Sequence, residues 1–402
     1  MSESLLKTIF WLSVGAAIYV YLGYPALLHL LSRWFPQKTT LEDAALPSVS
    51  LIISAHNESA VIVEKLENAF ALDYPRDLME ILVISDCSDD GTDELVSQRA
   101  SQGVRLVRQT ERLGKSAGLN LGIPKSSGDI LVFSDANAIY QAGAIRQLVR
   151  HFADPQVGYV VGNAKYVEHP GQAPSAESEG LYWKLETWLK EKESRFGSVV
   201  GGDGAIYAIR RGLFSPLRPT DINDLLNPLQ IIASGYRGVY EPSAICHEEA
   251  GGSFEKEFRR KVRIVGRSLN AVRRARRVLL PWTQLRHWFC LVSHKLLRWF
   301  VPVFLLFSLA SSLLLWNLPF YRIAALLQAS FYALAACGWI VGRRQNSTRA
   351  LYIPYYFCLV NTAALFGIVQ FCRGSLSPTW QTVRDQKPLD QESAAHSAGR
   401  ES

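Results

Sequence analysis

The strongest constraint on this chain is where its apolar residues fall. From Thr8 to Leu31 no Asp, Glu, Lys or Arg interrupts the run, and that length is enough to cross a bilayer as a helix. Apolar runs of spanning length return at 299–317, 320–342 and 351–372. Between them, from residue 47 to about 255, apolar residues come in short groups separated by polar turns. A chain patterned this way folds as a water-soluble unit carried between membrane helices. The expected division is 1–45 for a first span and linker, 46–255 for the soluble domain, 256–298 for basic and interfacial helices, 299–372 for further spans, and 373–402 for a polar tail, disordered at 386–402.

The flanks set the orientation. A cleaved signal peptide is shorter than the first run and ends in a small-residue site that is absent here. Arg33 and Lys38 follow it, with Trp34 and Phe35 as interface residues, which puts the soluble domain in the cytoplasm of a multi-pass protein of the cell (inner) membrane. Arg343, Arg344 and Arg349 form a second basic loop on the same side, after a tight turn at Trp316–Pro319. Residues 282–298 mix aromatics and bases at helical spacing, the pattern of a helix lying along a membrane surface. Pro354 and Asn361 leave room for a re-entrant segment in the last run, and the side of the tail stays open. The six cysteines show no C-x-x-C spacing, which argues for reduced thiols and against a zinc site.

Inside the soluble domain, apolar runs alternate with helical patterns. Val49–Ile53, Ile81–Ile84, Val104–Arg108 and Ile130–Phe133 read as buried strands. Helices are expected at 60–70, from Thr92, around 117–121 and at 142–151. Repeated β-α units give an α/β fold with a mostly parallel sheet, which binds its ligand at the carboxyl ends of the strands. Polar residues sit at each of those ends: Ser54–Glu58, Ser85–Thr92, Arg112–Lys115 and Asp135-Ala136-Asn137. Asp135 and Asn137 offer two oxygen donors on one side of an extended chain, as Mg²⁺ or Mn²⁺ bound to a diphosphate requires. An Asx-turn capping the next helix accounts for the same two residues. Asp86 can accept from the imide N–H of a base, and Lys115 is a point charge for phosphate.

With these motifs in order, the sequence resembles the membrane-embedded family 2 glycosyltransferases, inverting enzymes with the GT-A nucleotide-sugar fold. The branch it resembles includes cellulose, hyaluronan, chitin-oligosaccharide and poly-N-acetylglucosamine synthases. The resemblance implies that Ala55, Asn57 and Glu58 line a uridine pocket, with His56 in place of the usual tyrosine. It implies that Asp86 binds uracil, that Lys115 and Asn120 lie beside the nucleotide, and that Asp135 opens the metal-binding D-x-D motif, with Asn137 in place of its second aspartate. Asp203, in Gly201-Gly202-Asp203-Gly204, belongs to the stretch leading into the acceptor site and joins the expected donor-binding set. A Glu-Asp pair precedes the family's G-Y-R segment at the distance of Asn223 and Asp224, which makes Asp224 the general base. Asp221 competes for that role, and a helix N-cap accounts for Asp224 without chemistry.

Residues 256–277 carry ten lysines and arginines. Anionic lipid head groups explain most of them, and the lack of interleaved aromatics argues against nucleic acid. Where the family has Q-x-x-R-W, this chain keeps only Arg263, the implied partner of the diphosphate. The missing tryptophan weakens the case for processive synthesis more than the case for sugar transfer. The expected partners are therefore a UDP-sugar donor, a glycan or lipid-linked acceptor, and membrane lipids. The expected activity is inverting transfer of a hexosyl or N-acetylhexosaminyl group to a growing glycan. Single-sugar transfer to a lipid carrier and a non-catalytic nucleotide-sensing membrane protein are the alternatives.

Overall fold

The computed structural model describes residues 2–37, 45–167, 175–249, 254–282, 284–342 and 349–379. Lys38, Arg343, Arg344 and the tail at 386–402 lie outside the described residues.

Eight strands form one sheet: β1 (Val49–Ala55), β2 (Met79–Ser85), β3 (Val104–Arg108), β4 (Ile130–Asp135), β5 (Ile139–Tyr140), β6 (Val157–Val167), β7 (Tyr207–Arg210) and β8 (Arg237–Glu249). Their order across the sheet is β3-β2-β1-β4-β7-β6-β8-β5. The four strands expected from apolar runs are the four on one side of the sheet, all parallel. Every residue of β1 is buried, as a strand covered on both faces must be. One face packs Leu51, Ile53, Val83 and Val132 under the helix Ile62–Phe70. The other packs Ile52, Leu82 and Phe133 against Leu119 and Leu226.

Past β4 the sheet changes character. β7 runs antiparallel to both β4 and β6, while β6 and β8 pair in parallel. The sheet is thus mixed, with the parallel pairs in the majority. Register places Ser54 beside Asp135 and Ala55 beside Ser85, so the polar segments after β1, β2 and β4 emerge side by side.

Among the described residues, four helices are long and apolar enough to cross a membrane: Glu3–Trp34, Leu285–Leu314, Pro319–Val341 and Leu351–Arg373. One precedes the sheet domain and three follow it. The surface helix expected over 282–298 is not separate. From Leu285 on, its residues are part of the helix Leu285–Leu314, through a π-helical turn at Leu291–Leu296. Its charges face protein instead of head groups. His294, Lys295 and Arg298 converge on Glu186, and His294 also reaches Glu193 at 2.6 Å. Both carboxylates lie on the helix Ser175–Phe196, and Tyr24 of the first span donates to Glu193 at 2.7 Å. Buried carboxylates replace the water that those cations would otherwise need. The last span likewise shows no re-entrant break: Arg349–Arg373 passes through Pro354 as one helix.

Candidate active site

Asp86 follows β2 directly and is 2 % exposed. Its Oδ1 accepts from Gln109 Nε2 at 2.7 Å, Leu113 N at 2.9 Å and Gly114 N at 3.0 Å. Its own N–H donates to the Ala55 carbonyl at 2.9 Å, and its carbonyl accepts from His56 Nδ1 at 2.7 Å. Asp86 therefore ties β1, β2 and the loop ending at Gly114 together. Gly114 has φ of 90°, a backbone that disfavours any side chain, and Lys115 starts the next helix. The carbonyl of Pro378, beyond the last span, lies against Gly114, where a Cβ would clash.

Asn57 and Cys87 both have positive φ, 54° and 56°, a rare backbone for residues with a Cβ and one that collects at ligand sites. Asn57 exchanges two hydrogen bonds with Asp89, at 2.8 and 3.0 Å. The Glu58 N–H donates to Thr92 Oγ1 at 2.9 Å. These contacts tie the segment after β1 to the loop after β2. The Asn120 amide donates to the Leu217 carbonyl at 2.6 Å and accepts from Leu217 N at 2.9 Å, so it braces that loop.

The charged centre lies at the end of β4. Lys115 Nζ sits 2.5 Å from Asp135 Oδ1. A Cβ built on Gly204 would meet Asp224 Oδ2 at 3.4 Å, Asp135 Oδ2 at 3.5 Å and Lys115 Nζ at 3.8 Å. Three groups from distant parts of the sequence thus converge on one glycine that leaves the space between them open. Asp203 pairs with Lys190 at 3.0 Å. Arg263 makes no hydrogen bond or ion pair among the described residues, and its charge is felt by Asp135 and Asp224. Burial, with Arg267 and Arg260 nearby, lowers its pKa to about 10.

Asp224 is the second residue of the helix Asn223–Ala233. The helix is docked by Asn223 Nδ2, which donates to the Tyr207 hydroxyl at 2.8 Å, and Tyr207 stacks on Phe133 with centroids 4.5 Å apart. Oδ1 of Asp224 is buried without a hydrogen-bond partner among the described residues. Burial raises its pKa to about 6; Lys115 opposes the shift, and Asp203 and Asp135 add to it. Asp221, the rival candidate, is fully buried and already engaged by Arg274, Asn270 and the Arg218 N–H. It anchors the loop and has no room for a substrate proton.

The basic helix Phe254–Arg274 also spends much of its charge on protein. Arg260 and Lys261 pair with Glu257, and Arg267 donates to carbonyls of Pro219, Thr220 and Asp221. Lipid head groups are not needed to explain these residues.

Two features escaped the sequence. Glu248, near the end of β8, joins Asp135 and Asp203, and burial with those neighbours raises its pKa to about 8. A cavity of about 390 Å³ reaches from Asp224 to the spans and is lined by Tyr21, Lys190, Trp299, Tyr356 and Phe357 among others. Neither has a local sequence signal, because each is assembled from elements far apart in the chain.

For a divalent cation, the available donors are Asp135 and Asn137. Among the described residues no cluster of three or more His, Cys, Asp or Glu side chains could hold a metal alone. The set fits a cation that takes most of its ligands from water and substrate phosphate, as Mg²⁺ does. It does not fit a resident structural metal.

Comparison with known proteins agrees with this geometry. Residues 50–217, a little under half of the chain, match the model of Glycosyl transferase family 2. It is 27% identical over 233 residues to the poly-beta-1,6-N-acetyl-D-glucosamine synthase of Staphylococcus aureus (strain COL). It is 27% identical over 239 residues to the probable glycosyltransferase YdaM of Bacillus subtilis (strain 168). These matches cover 56% and 54% of this chain, and the same shares of the relatives. The chain thus spans little more than half the length of the curated relatives it matches. Among solved structures, a mannosyltransferase from Pyrobaculum calidifontis, in complex with GDP-Man and Mn²⁺, superimposes with a TM-score of 0.65 at 23% identity. That match covers 92% of this chain and 98% of the other, so the shared fold includes the flanking helices.

Proposed function

We propose that this protein is an inverting glycosyltransferase that moves a sugar from a UDP-sugar to an acceptor hydroxyl delivered from the membrane side. The observation that carries the proposal is the convergence of Asp135, Lys115 and Asp224 on Gly204. Direct displacement at an anomeric carbon needs a base for the incoming hydroxyl and charge stabilisation for the leaving diphosphate. It forms no covalent intermediate, so one carboxylate base suffices, unlike the two of a retaining glycosidase.

Each group has a matching task. Asp224 holds an unpartnered buried oxygen and a pKa close to neutrality, which suits it to take the hydroxyl proton. Lys115 and Arg263 face the space where the diphosphate would lie and stabilise it as it leaves. Asp135 and Asn137 would hold Mg²⁺ or Mn²⁺, which when bound supplies further charge neutralisation at the diphosphate. Asp86, Asn57 and Glu58 form the base pocket; on departure of the nucleotide their backbone contacts hold its shape.

The domain is cytoplasmic in this reading, with Arg33 at the inner end of the first span, and the product is a growing glycan. A second reading is transfer of one sugar to a lipid carrier. The cavity favours it, because aromatic and apolar side chains of the spans form much of the wall, as does the loss of Gln and Trp from the family's Q-x-x-R-W motif. The test is UDP release from UDP-glucose, UDP-N-acetylglucosamine, UDP-galactose and UDP-glucuronate with Mg²⁺ or Mn²⁺, followed by product sizing. A ladder supports polymer synthesis and a single product supports the lipid carrier. Equal UDP release by wild type and Asp224→Asn would remove the assigned base.

A further inference from the structure

Lys65 lies mid-way along the helix Ile62–Phe70 and is fully buried. Its ammonium donates to the Ala138 carbonyl and sits 4.1 Å from the centroid of the Tyr140 ring. Ala138 closes the turn that begins at Asp135, since its N–H donates to the Asp135 carbonyl at 3.2 Å. The Tyr140 hydroxyl in turn donates to the carbonyls of Phe133 and Ala205, both at 2.9 Å. One buried cation thus sits beneath both the carboxylate turn and the glycine segment around which the site converges.

Packing alone does not call for a lysine here. Asn68, one turn along, already clamps the same segment through two bonds with the Tyr140 backbone, at 2.8 and 2.9 Å. An apolar side chain of similar length would avoid the cost of burying charge. Burial lowers the Lys65 pKa to about 7, against the opposing pull of Cys246, Asp135 and Glu248. The charge that remains acts on carboxylates in the cleft.

We propose that Lys65 is a positioning residue for the donor site. It fixes the Asp135–Ala138 turn from below and supplies positive charge behind the carboxylates, so that an anionic diphosphate is accepted in front of them. The proposal rests on the reading of this cleft as a UDP-sugar site. Lys65 touches no substrate; it acts through Asp135 and the turn.

The experiment measures UDP affinity by calorimetry, melting temperature, and KM and kcat for the donor, using full-length protein in nanodiscs. The variants are Lys65→Met, Lys65→Gln and Asn68→Ala. Both Lys65 variants are expected to bind UDP on the order of tenfold more weakly, the scale of one unit charge in a partly desolvated site. The loss should fall on KM more than on kcat, with the melting temperature of Lys65→Met unchanged or raised. Asn68→Ala should lower the melting temperature and leave UDP affinity within about twofold, because it removes two hydrogen bonds without removing charge. Wild-type UDP affinity in Lys65→Gln, or a loss in the Lys65 variants no larger than in Asn68→Ala, overturns the proposal. Failure of both Lys65 variants to fold also overturns it, in favour of a structural role. A wild type that binds no UDP sinks the donor-site reading itself, which separates the two failures.

Discussion

The two halves of the cleft are built differently. On the proposed donor side, at the ends of β1 and β2, polar groups are held by protein partners: Asp86 by the Gln109–Gly114 loop and Asn57 by Asp89. On the acceptor side, groups stand open. Asp224 has an unpartnered oxygen, Arg263 has no partner among the described residues, and an aromatic-lined cavity opens behind them. A site that must hold a nucleotide in fixed register is best assembled before the ligand arrives. A site that must move a proton needs a group whose hydrogen bond is left for the substrate. Under the proposed function, recognition falls on one side of Gly204 and chemistry on the other.

That contrast can be broken by mutation. Asp224→Asn should reduce transfer by roughly 10³-fold or more while UDP affinity stays within a few-fold, as for loss of a general base. Steady-state rates beside calorimetry of UDP binding check it. Arg263→Met should cost about 10²-fold in kcat, because it removes charge that matters most as the diphosphate leaves; a loss confined to KM would move Arg263 to the recognition side. Asp135→Asn should raise the half-saturating Mn²⁺ concentration about tenfold or more, read from transfer as Mn²⁺ is titrated. Asn120→Ala should lower stability by about 1–3 kcal/mol, the cost of leaving buried backbone groups unpaired, with transfer per folded molecule nearly unchanged. Denaturation of the variant, together with its specific activity, tests whether Asn120 is a brace.

Much of this was legible in the sequence, because the signals are local. β1 to β4 each announce themselves by an apolar run and a polar end, and Asp86 and Asp135 follow directly from that. The remainder depends on distant partners. Glu186 and Glu193 lie on a long helix, and their burial is explained by His294, Lys295, Arg298 and Tyr24, which come from distant parts of the sequence. The same partners turned the expected surface helix at 282–298 into the start of a span. β6, β7 and β8 pair across long separations, so Glu248 could not be assigned to the cleft from its neighbours in the chain. Nothing near Lys65 in the sequence marks the turn at Ala138 that its ammonium meets.

The pH dependence of single-turnover transfer, measured with donor and metal saturating, tests the proposed division most directly. Asp224 must be ionised to take a proton, and burial raises its pKa to about 6. The rate should therefore hold near neutrality and fall as pH drops through about 6, and the residual rate of Asp224→Asn should lack that limb. A wild-type profile flat down to pH 4.5, or the same limb persisting in Asp224→Asn, would contradict the assignment of proton transfer to this carboxylate.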